Sequence, residues 1–467
     1  MKNVKINILF MVLLLSPLCA AWGQSTVSEV QYTKSDTSIV RYWQGSISIV
    51  YTRNIDKNNW FLLVDTTDPQ VRRIVVPNDV TVNDFRIMRD TVFVCGHHVD
   101  GSGTQRGLLA YFAIQDFYNG SGAYNWGVTI QTPMPDCYSG GCYNQISDIT
   151  RLAVYDSNGH TKIAFIAKNY IVAETTYRVG VGSAVYRPSW EVVFIYNKYG
   201  IEEYTDIITT QNYVVAVART NDSSRLALRI YPKNDFILKT AFPSYPPSYY
   251  YHNKFGQGLP DLEVDENVIA TALDGDEFAV AYHYTNSPKD GLAVKTFGIS
   301  GGLATLLQGL NAPVVRQPGS IWKMRDVCYS PSLQQMLVLN DFDGGTVGSQ
   351  TSIVYKFPLS ALATGVTFYN GRYLVGYNLY ALDPFGSTAN SFVSSGSIVG
   401  GGGMLSLFWE GINYGVSCGL QDIIMGSHVS PSLYTTFMQT NINEPTTPKG
   451  TAPFVVESVE MNKICDK

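Results

Sequence analysis

The sequence contains few charged residues and no cluster of basic ones. Asp, Glu, Lys and Arg make up 15% of the 467 residues, and the formal net charge is −5. Proteins that bind nucleic acid present clustered Lys and Arg to the phosphates, so we expect no nucleic-acid partner. The sequence also lacks a Gly-x-Ser-x-Gly nucleophile motif and a His-Glu-x-x-His zinc motif. Both absences favour a binding function over catalysis.

Long apolar runs are missing after Gly23. A membrane-spanning helix needs about 20 consecutive apolar residues, and no later stretch approaches this length, so we expect no transmembrane segment. Residues 1–23 predict an export signal, because Lys2 and Lys5 precede a short apolar run at 8–15 and small residues flank Trp22. The mature chain, residues 24–467, is therefore expected to be exported, in the periplasm or outside the cell.

Cysteines are also few, at seven. Cys19 lies in the signal, but Leu18 stands where a lipobox has a small residue, so we do not expect a lipid anchor. Cys137 and Cys142 are predicted to form a disulfide, because Ser-Gly-Gly between them can fold the loop back on itself; two free thiols are the alternative. Cys95 and Cys328 lie within strand patterns and are expected to be buried free thiols. Cys418 and Cys465 are a possible pair that would join the tail to the last repeat.

Helical periodicity is nearly absent, with 303–310 among the few segments that could form a turn or two. The chain contains instead a pattern that recurs with a period of about 60 residues. In its clearest copy, at 83–98, a strand through Phe85 is followed by the turn Arg89-Asp90 and by a second strand that is expected to end at Gly96.

An aspartate marks the first strand of four copies, and we predict that these residues occupy equivalent places: Asp84, Asp148, Asp206 and Asp326. A unit near Val268 keeps both strands without the aspartate, and a sixth copy is expected to begin near Ser391. Four short strands with their loops fit within one such repeat, and four-stranded units repeated radially form a β-propeller. The sequence therefore predicts an all-β propeller.

The strands at residues 26–77 add one unit to these six. Seven four-stranded blades in a single domain at 24–467 give a period close to the observed one, whereas six blades would need longer repeats. We therefore favour seven blades over six, with the amino-terminal strands closing the ring beside the carboxy-terminal blade.

The repeated aspartates permit two interpretations. As a functional site they would form a carboxylate ring that holds a cation or a basic ligand. As structural residues they would accept backbone hydrogen bonds, as short polar side chains do at turns. Repetition in several blades favours the structural interpretation, because a functional site usually breaks symmetry.

A segment rich in tyrosine and proline, residues 242–255, is the predicted ligand-binding loop. Tyrosine offers a large contact area with few rotatable bonds, and the alternative is a loop packed between blades. The candidate ligand-binding residues are Tyr245, Tyr249, Tyr250, Tyr251 and Phe255. No metal or cofactor is predicted, since the pair His97-His98 has no further His or Cys at ligand spacing.

The strand repeat, the export signal and the composition together resemble those of uncharacterised secreted bacterial β-propeller proteins. This resemblance covers most of the mature chain and supplies no active site. We therefore predict a non-catalytic propeller that acts as a binding or scaffold protein for a protein or glycan partner. The alternative is a carbohydrate-active enzyme, a glycoside hydrolase or lyase, with acidic residues on one face of the propeller.

Overall fold

The structure is a computed structural model, and it describes the greater part of the chain after residue 25. The described residues are 26–34, 37–53, 59–65, 70–99, 101–119, 123–133, 143–145, 147–157, 159–167, 171–177, 189–196, 202–220, 226–233, 251–254, 264–284, 291–313, 321–332, 334–343, 351–359, 369–375, 377–385, 391–398, 404–410, 420–425, 434–437, 441–444, 446–453 and 455–466.

These residues form antiparallel strands that follow one another in seven runs of four. The first two runs are β2–β5 at Thr37–Gln44, Ile47–Arg53, Asn59–Asp65 and Gln70–Val76, and β6–β9 at Val80–Met88, Thr91–Val99, Gln105–Ala113 and Ala123–Pro133. A short strand, β10 (Tyr143–Gln145), extends the second run, and one helical turn, α1 (Asp116–Asn119), interrupts it. The third run is β11–β14 at Ile149–Ser157, His160–Ala167, Ile171–Tyr177 and Ser189–Tyr196.

The remaining four runs repeat the same arrangement. The fourth and fifth are β15–β18 at Glu202–Thr209, Tyr213–Thr220, Leu226–Pro232 and Tyr251–Lys254, and β19–β22 at Val264–Ala272, Glu277–Tyr284, Gly291–Ser300 and Leu303–Pro313. The sixth is β23–β26 at Ile321–Ser330, Gln335–Asp343, Thr351–Pro358 and Tyr369–Val375. The seventh joins β27–β29, at Tyr377–Phe385, Ser391–Ile398 and Met404–Glu410, to the first strand of the chain, β1, at Thr26–Lys34.

The first strands of the seven runs form a closed ring. Each contacts the first strand of the next run in chain order, and β27 contacts β2. Radial repetition of four-stranded sheets around a central channel is the β-propeller architecture, so the predicted all-β propeller fold is confirmed. We refer to each run as a blade, and the strand pairing favours seven blades over six.

The carboxy-terminal segment runs along the outside of the ring and adds a strand to the outer edges of most blades. These strands are β30 (Leu420–Met425) on blade 6, β31 (Tyr434–Phe437) on blade 4, β32 (Asn441–Glu444) on blade 3, β33 (Thr446–Pro453) on blade 2, and β34 (Val455–Asp466) between blades 1 and 7. Because β34 pairs with both β5 and β1, it joins the first and last blades at their outer edges.

The hydrophobic core lies between neighbouring blades. One cluster joins blades 1 and 2, where Phe61 packs edge-on against Phe85 at 5.5 Å and against Phe112 at 5.0 Å between ring centroids. Similar clusters join blades 4 and 5 and blades 5 and 6. Two more clusters lie between blades 3 and 4 and between blades 1 and 7. A core divided among blade junctions suits a chain that is longer than a single hydrophobic core usually supports.

Three local expectations from the sequence are wrong. Residues 303–310 lie in strand β22, and Ser391 begins the second strand of blade 7, whose first strand is β27. Gly96 lies inside β7 and does not end it. The register of β6 shifts between Val82 and Asp84, which brings the Thr81 carbonyl oxygen to 1.9 Å from the place that a Cβ on residue 96 would take. Glycine is therefore required there, next to a β-bulge.

Cys95 and Cys328 are buried free cysteines in β7 and β23. The predicted disulfide partners Cys137 and Cys142 lie outside the described residues, as do Cys418 and the signal segment, so these expectations stay predictions. The described residues contain no helix long and apolar enough to span a lipid bilayer.

Candidate functional site

The first strand of most blades carries a β-bulge that aims the next side chain at the central channel. The register shift leaves one residue unpaired, for example Asn83 in blade 2 and Thr205 in blade 4. We call the residue that follows the bulge the channel position. In the five blades with this bulge, the channel positions are Asp84, Arg151, Asp206, Asp326 and Ala381.

Hydrogen bonds from neighbouring blades identify the corresponding residues in blades 1 and 5. In blades 3 and 7, the residue after the channel position donates its N–H to a carboxylate of the preceding blade. Tyr42 and Ala270 do the same, which makes Arg41 and Ile269 the channel positions of blades 1 and 5. Blades 1 to 4 therefore present Arg, Asp, Arg and Asp in turn around the channel.

The channel-position aspartates hold adjacent blades together. In each of them Oδ1 accepts the N–H of the following residue at 2.9 Å, so the carboxylate is fixed against its own strand. Oδ2 accepts an N–H from the first strand of the next blade. That second distance is 2.8 Å from Asp206 to Ala270, 3.0 Å from Asp326 to Leu382 and 3.5 Å from Asp84 to Leu152.

Asp383 makes the equivalent link at the closure of the ring. It lies two residues after the channel position of blade 7, and its Oδ2 accepts the Tyr42 N–H of blade 1 at 2.5 Å. Burial raises the pKa of the Asp383 carboxyl to about 6, although Arg41 and the Tyr42 N–H act in the opposite direction. This side chain therefore carries a proton more readily than an ordinary aspartate.

Two arginines form ion pairs with the Asp84 carboxylate. Arg41 Nη2 lies 3.1 Å from Oδ1, and Arg86 Nη2 lies 3.3 Å from Oδ2. Arg41 also reaches across to Asp326, with Nη1 at 3.5 Å from Oδ2. One guanidinium thus occupies the space between two carboxylates of blades 2 and 6.

The channel aspartates differ in pKa because they differ in their arginine neighbours. Burial disfavours the charged form of Asp84, but Arg86, Arg41 and Arg151 outweigh it and hold the pKa below the usual range. At Asp206 burial prevails, and the pKa is raised even though Arg151 lies nearby. The distance from Arg151 Nε to Asp206 Oδ1 is 3.9 Å, which is too long for a hydrogen bond.

A central cavity of about 290 Å³ lies among these side chains. Arg41, Arg86 and Arg151 line it together with the four carboxylates, and Cys328 also reaches it. Burial raises the pKa of the Cys328 thiol well above its ordinary value, so the thiol stays protonated and unreactive. Within the described ranges, no three His, Cys, Asp or Glu side chains are arranged to hold a metal ion.

Asp148, the fourth repeat marker, stands at a different place from the other three. It precedes β11, and Arg151 occupies the channel position of that blade. Asp148 still links two blades, because its Oδ1 accepts Asn83 Nδ2 at 2.6 Å and lies 3.0 Å from His97 Nδ1. His97 is therefore placed by a carboxylate of the neighbouring blade.

The predicted ligand-binding loop lies almost entirely outside the described residues. Tyr245, Tyr249, Tyr250 and Phe255 are not described, and Tyr251 is described only as the first residue of β18. The structure brings together a different set of residues at the channel.

Sequence reasoning missed the channel residues Arg41, Arg86, Arg151 and Asp383. The distance from the hairpin turn distinguishes the three channel aspartates from Asp148. Asp84, Asp206 and Asp326 each stand five residues before the first residue of that turn, whereas Asp148 is farther from its turn at Gly159. No such signal identifies the arginines, because their carboxylate partners belong to other blades.

Comparison with known proteins shows resemblance at the level of architecture only. The sequence matches no protein-family model, and no curated protein sequence is significantly similar to it. Several solved structures resemble it over most of its length. The β-propeller domain of Cps50 (Swd1) from Myceliophteria thermophila is 9% identical, with a TM-score of 0.45 over 82% of this chain and 99% of that one. The strand pairing, and not this likeness, shows that the chain is a β-propeller.

Two other solved structures illustrate how different the proteins with similar folds are. A PL25 ulvan lyase bound to a sulfated glucuronate–rhamnose ligand is 7% identical, with a TM-score of 0.41 over 83% of this chain and 95% of that one. Sqt1 of Chaetomium thermophilum, bound to the N-terminus of ribosomal protein L10, is 11% identical, with a TM-score of 0.30 over 73% and 94%. These similarities do not distinguish a binding protein from an enzyme.

Proposed function

We propose that this chain is an exported, non-catalytic β-propeller that binds a protein or glycan partner. One observation carries the proposal: the carboxylates of the channel are already used to join the blades. Asp84, Asp206 and Asp326 each accept two backbone N–H groups, and Asp383 accepts one at the ring closure. A general acid or base must be free to exchange a proton with a substrate, and such exchange would disturb these blade contacts.

The size and content of the channel also support binding elsewhere on the molecule. Its cavity of about 290 Å³ is just below the range for small-molecule pockets, roughly 300–1,000 Å³. Arg41 lies between the carboxylates of Asp84 and Asp326, where a glycosidase would need room for a sugar ring. A polysaccharide chain or a protein would therefore be recognised on the outer surfaces, where loops are held by a rigid scaffold.

The tyrosine-rich segment at 242–255 remains our candidate for the binding loop. Aromatic faces suit sugar rings and protein backbones, and the prolines reduce the backbone freedom that is lost on binding. In this proposal Tyr245, Tyr249, Tyr250, Tyr251 and Phe255 contact the partner, and the export signal delivers the protein to the periplasm or beyond.

A glycan array and an affinity pull-down from the extracellular fraction, both with the mature protein, test the proposal. Replacing Tyr249, Tyr250 and Tyr251 together by alanine should weaken binding to the captured partner at least tenfold and leave the melting temperature nearly unchanged. Tyr118→Ala, at an exposed tyrosine on α1, is the matched control and should bind normally. A large fall in melting temperature for the triple variant would show that these tyrosines are packed in the fold, which would refute the loop assignment.

One observation favours the alternative, a carbohydrate-active enzyme. Asp383 lines the cavity, and its pKa of about 6 suits a general acid near neutral pH. An activity screen on neutral and acidic polysaccharides would detect turnover. Turnover that is abolished by Asp383→Asn in a folded protein, and retained by Asp156→Asn at the surface, would replace the binding proposal.

A further inference from the structure

Arg86 and Arg151 are more exposed to solvent than three of the four carboxylates that line the central cavity. The side chains of Arg86 and Arg151 are 30% and 35% exposed. Those of Asp84, Asp206 and Asp326 are 2%, 3% and 16% exposed. The guanidinium groups of Arg86 and Arg151 are therefore more accessible to an entering molecule than these three carboxylates.

The two exposed arginines come from neighbouring blades, and crossed hydrogen bonds hold them in place. Arg86 of blade 2 donates Nε to the Leu152 carbonyl of blade 3 at 3.2 Å. Arg151 of blade 3 donates Nη1 to the Asn83 carbonyl of blade 2 at 3.4 Å, and also to its own neighbour Thr150 at 3.2 Å. Both guanidiniums therefore lie at the junction of blades 2 and 3, and their orientation is set before any ligand arrives.

Each guanidinium keeps donors that the described contacts do not use. Arg86 forms its ion pair with Asp84 through Nη2, and Arg151 approaches Asp206 only through Nε, at 3.9 Å. This leaves Nη1 of Arg86 and Nη2 of Arg151 without a partner among the described residues. Arg41 adds a fully buried Nε that also has no hydrogen bond. A guanidinium has five N–H donors, and unused donors in a cavity are satisfied by water or by an anion.

We propose that the channel binds a small oxyanion, such as a sulfate or a carboxylate, between Arg86 and Arg151. Guanidinium groups bind these anions through paired N–H donors, which match the spacing of two oxyanion oxygens. The nearby carboxylates do not compete strongly, because backbone N–H groups occupy them and their side chains are largely covered. The site is independent of a partner on the outer surfaces and would exist whether or not the tyrosine-rich segment binds one.

The oxyanion could be a free ion or the acidic group of a sugar, and both have the same chemistry. The cavity, at about 290 Å³, has room for a small ion with its waters, and an acidic sugar would place only its charged group there. Titration calorimetry of the mature protein with sodium sulfate, sodium acetate, sodium glucuronate and neutral glucose distinguishes these sources. We expect saturable binding of sulfate and acetate, and none of glucose. Tighter binding of glucuronate than of acetate would identify an acidic sugar as the source.

Charge-neutral variants locate the site. Arg86→Gln and Arg151→Gln should each weaken sulfate binding at least tenfold. Arg89→Gln is the matched control, because Arg89 follows the same strand but is 75% exposed and pairs with Asp156 at the surface. It should bind sulfate as the wild type does. Binding that is equal in all three variants, or no saturable heat with any anion in the wild type, would overturn the proposal.

A chemical footprint of the wild-type protein keeps the proposal testable if a channel variant fails to fold. Phenylglyoxal modifies accessible arginines, and peptide mass spectrometry reports each site. Sulfate should slow the modification of Arg86 and Arg151 severalfold and leave Arg89 unaffected, relative to chloride at the same ionic strength. Equal modification rates in the two salts at all three arginines would contradict a channel site.

Discussion

The Asp206 carboxylate joins blades 4 and 5, and its removal should destabilise the ring at that junction. Oδ1 accepts the Ile207 N–H at 2.9 Å, and Oδ2 accepts the Ala270 N–H at 2.8 Å. Asp206 and both donor residues are buried. In Asp206→Ala both donors lose this acceptor, and water from the central cavity, which these residues line, replaces it at best in part.

The cost follows from the number of donors that lose their partner. A buried donor left unsatisfied costs roughly 1–3 kcal/mol, so two of them predict a loss of roughly 2–6 kcal/mol. Native proteins have a total stability of about 5–15 kcal/mol, which makes this loss a large fraction. Asp206→Asn keeps one acceptor oxygen and should lose about half as much.

Urea unfolding followed by tryptophan fluorescence and by circular dichroism measures the effect. Asp156→Ala removes a surface aspartate that pairs with Arg89, and an exposed ion pair is worth about 0–1 kcal/mol. We expect the unfolding midpoints to fall in the order wild type, Asp156→Ala, Asp206→Asn and Asp206→Ala. If Asp206→Ala unfolds at the same urea concentration as Asp156→Ala, the carboxylate does not hold the blades together, and the structural interpretation of the repeat marker fails.

Three further predictions concern ionisation, packing and thiol chemistry. Burial raises the folded-state pKa of Asp383 to about 6 from 3.8, so the stability that its protonation contributes is complete below pH about 4 and is lost as pH rises through 6. Asp383→Asn should remove this part of the pH dependence, which is at most roughly 3 kcal/mol. If the urea midpoints of the variant change with pH as those of the wild type do, the prediction is wrong. Gly96→Ala places a Cβ against the Thr81 carbonyl oxygen and should lower stability by about 3 kcal/mol or prevent folding, whereas Gly101→Ala, in open space, should have no measurable effect on the melting temperature. The thiols of Cys95 and Cys328 are buried and have raised pKa values. Iodoacetamide should therefore label neither of them in the native protein at pH 8, and should label both in urea. Rapid labelling of the native protein, detected by mass spectrometry, would refute their burial.

The sequence predicted the architecture because a propeller repeats one local pattern. The hairpin of blade 2 at 80–99 is encoded by apolar stretches on both sides of the turn Arg89-Asp90. That pattern recurs once in each repeat, and each copy independently predicts the same structural unit. Three strands of blade 1, at 47–53, 59–65 and 70–76, can also be predicted from the sequence, because polar segments bound them.

The markers show where local pattern stops being informative. Asp148-Ile149 has the same form as Asp84-Phe85 and Asp206-Ile207, an aspartate followed by an apolar residue. The register shift in β11 nevertheless places Arg151 at the channel, three residues later. A bulge depends on how two strands pair, so a single strand's sequence does not fix which residue follows it.

The sequence by itself therefore determined the class of fold, the repeat and its hairpins, because these depend on alternation and turn residues within each unit. Only the tertiary structure decided which side chains meet at the centre. Arg41 contacts Asp84 and Asp326, and Asp383 accepts the N–H of Tyr42 from the opposite end of the propeller sequence. These contacts exist because closing the ring brings the first strands of all the blades around one axis. Distance along the chain does not encode proximity around that axis.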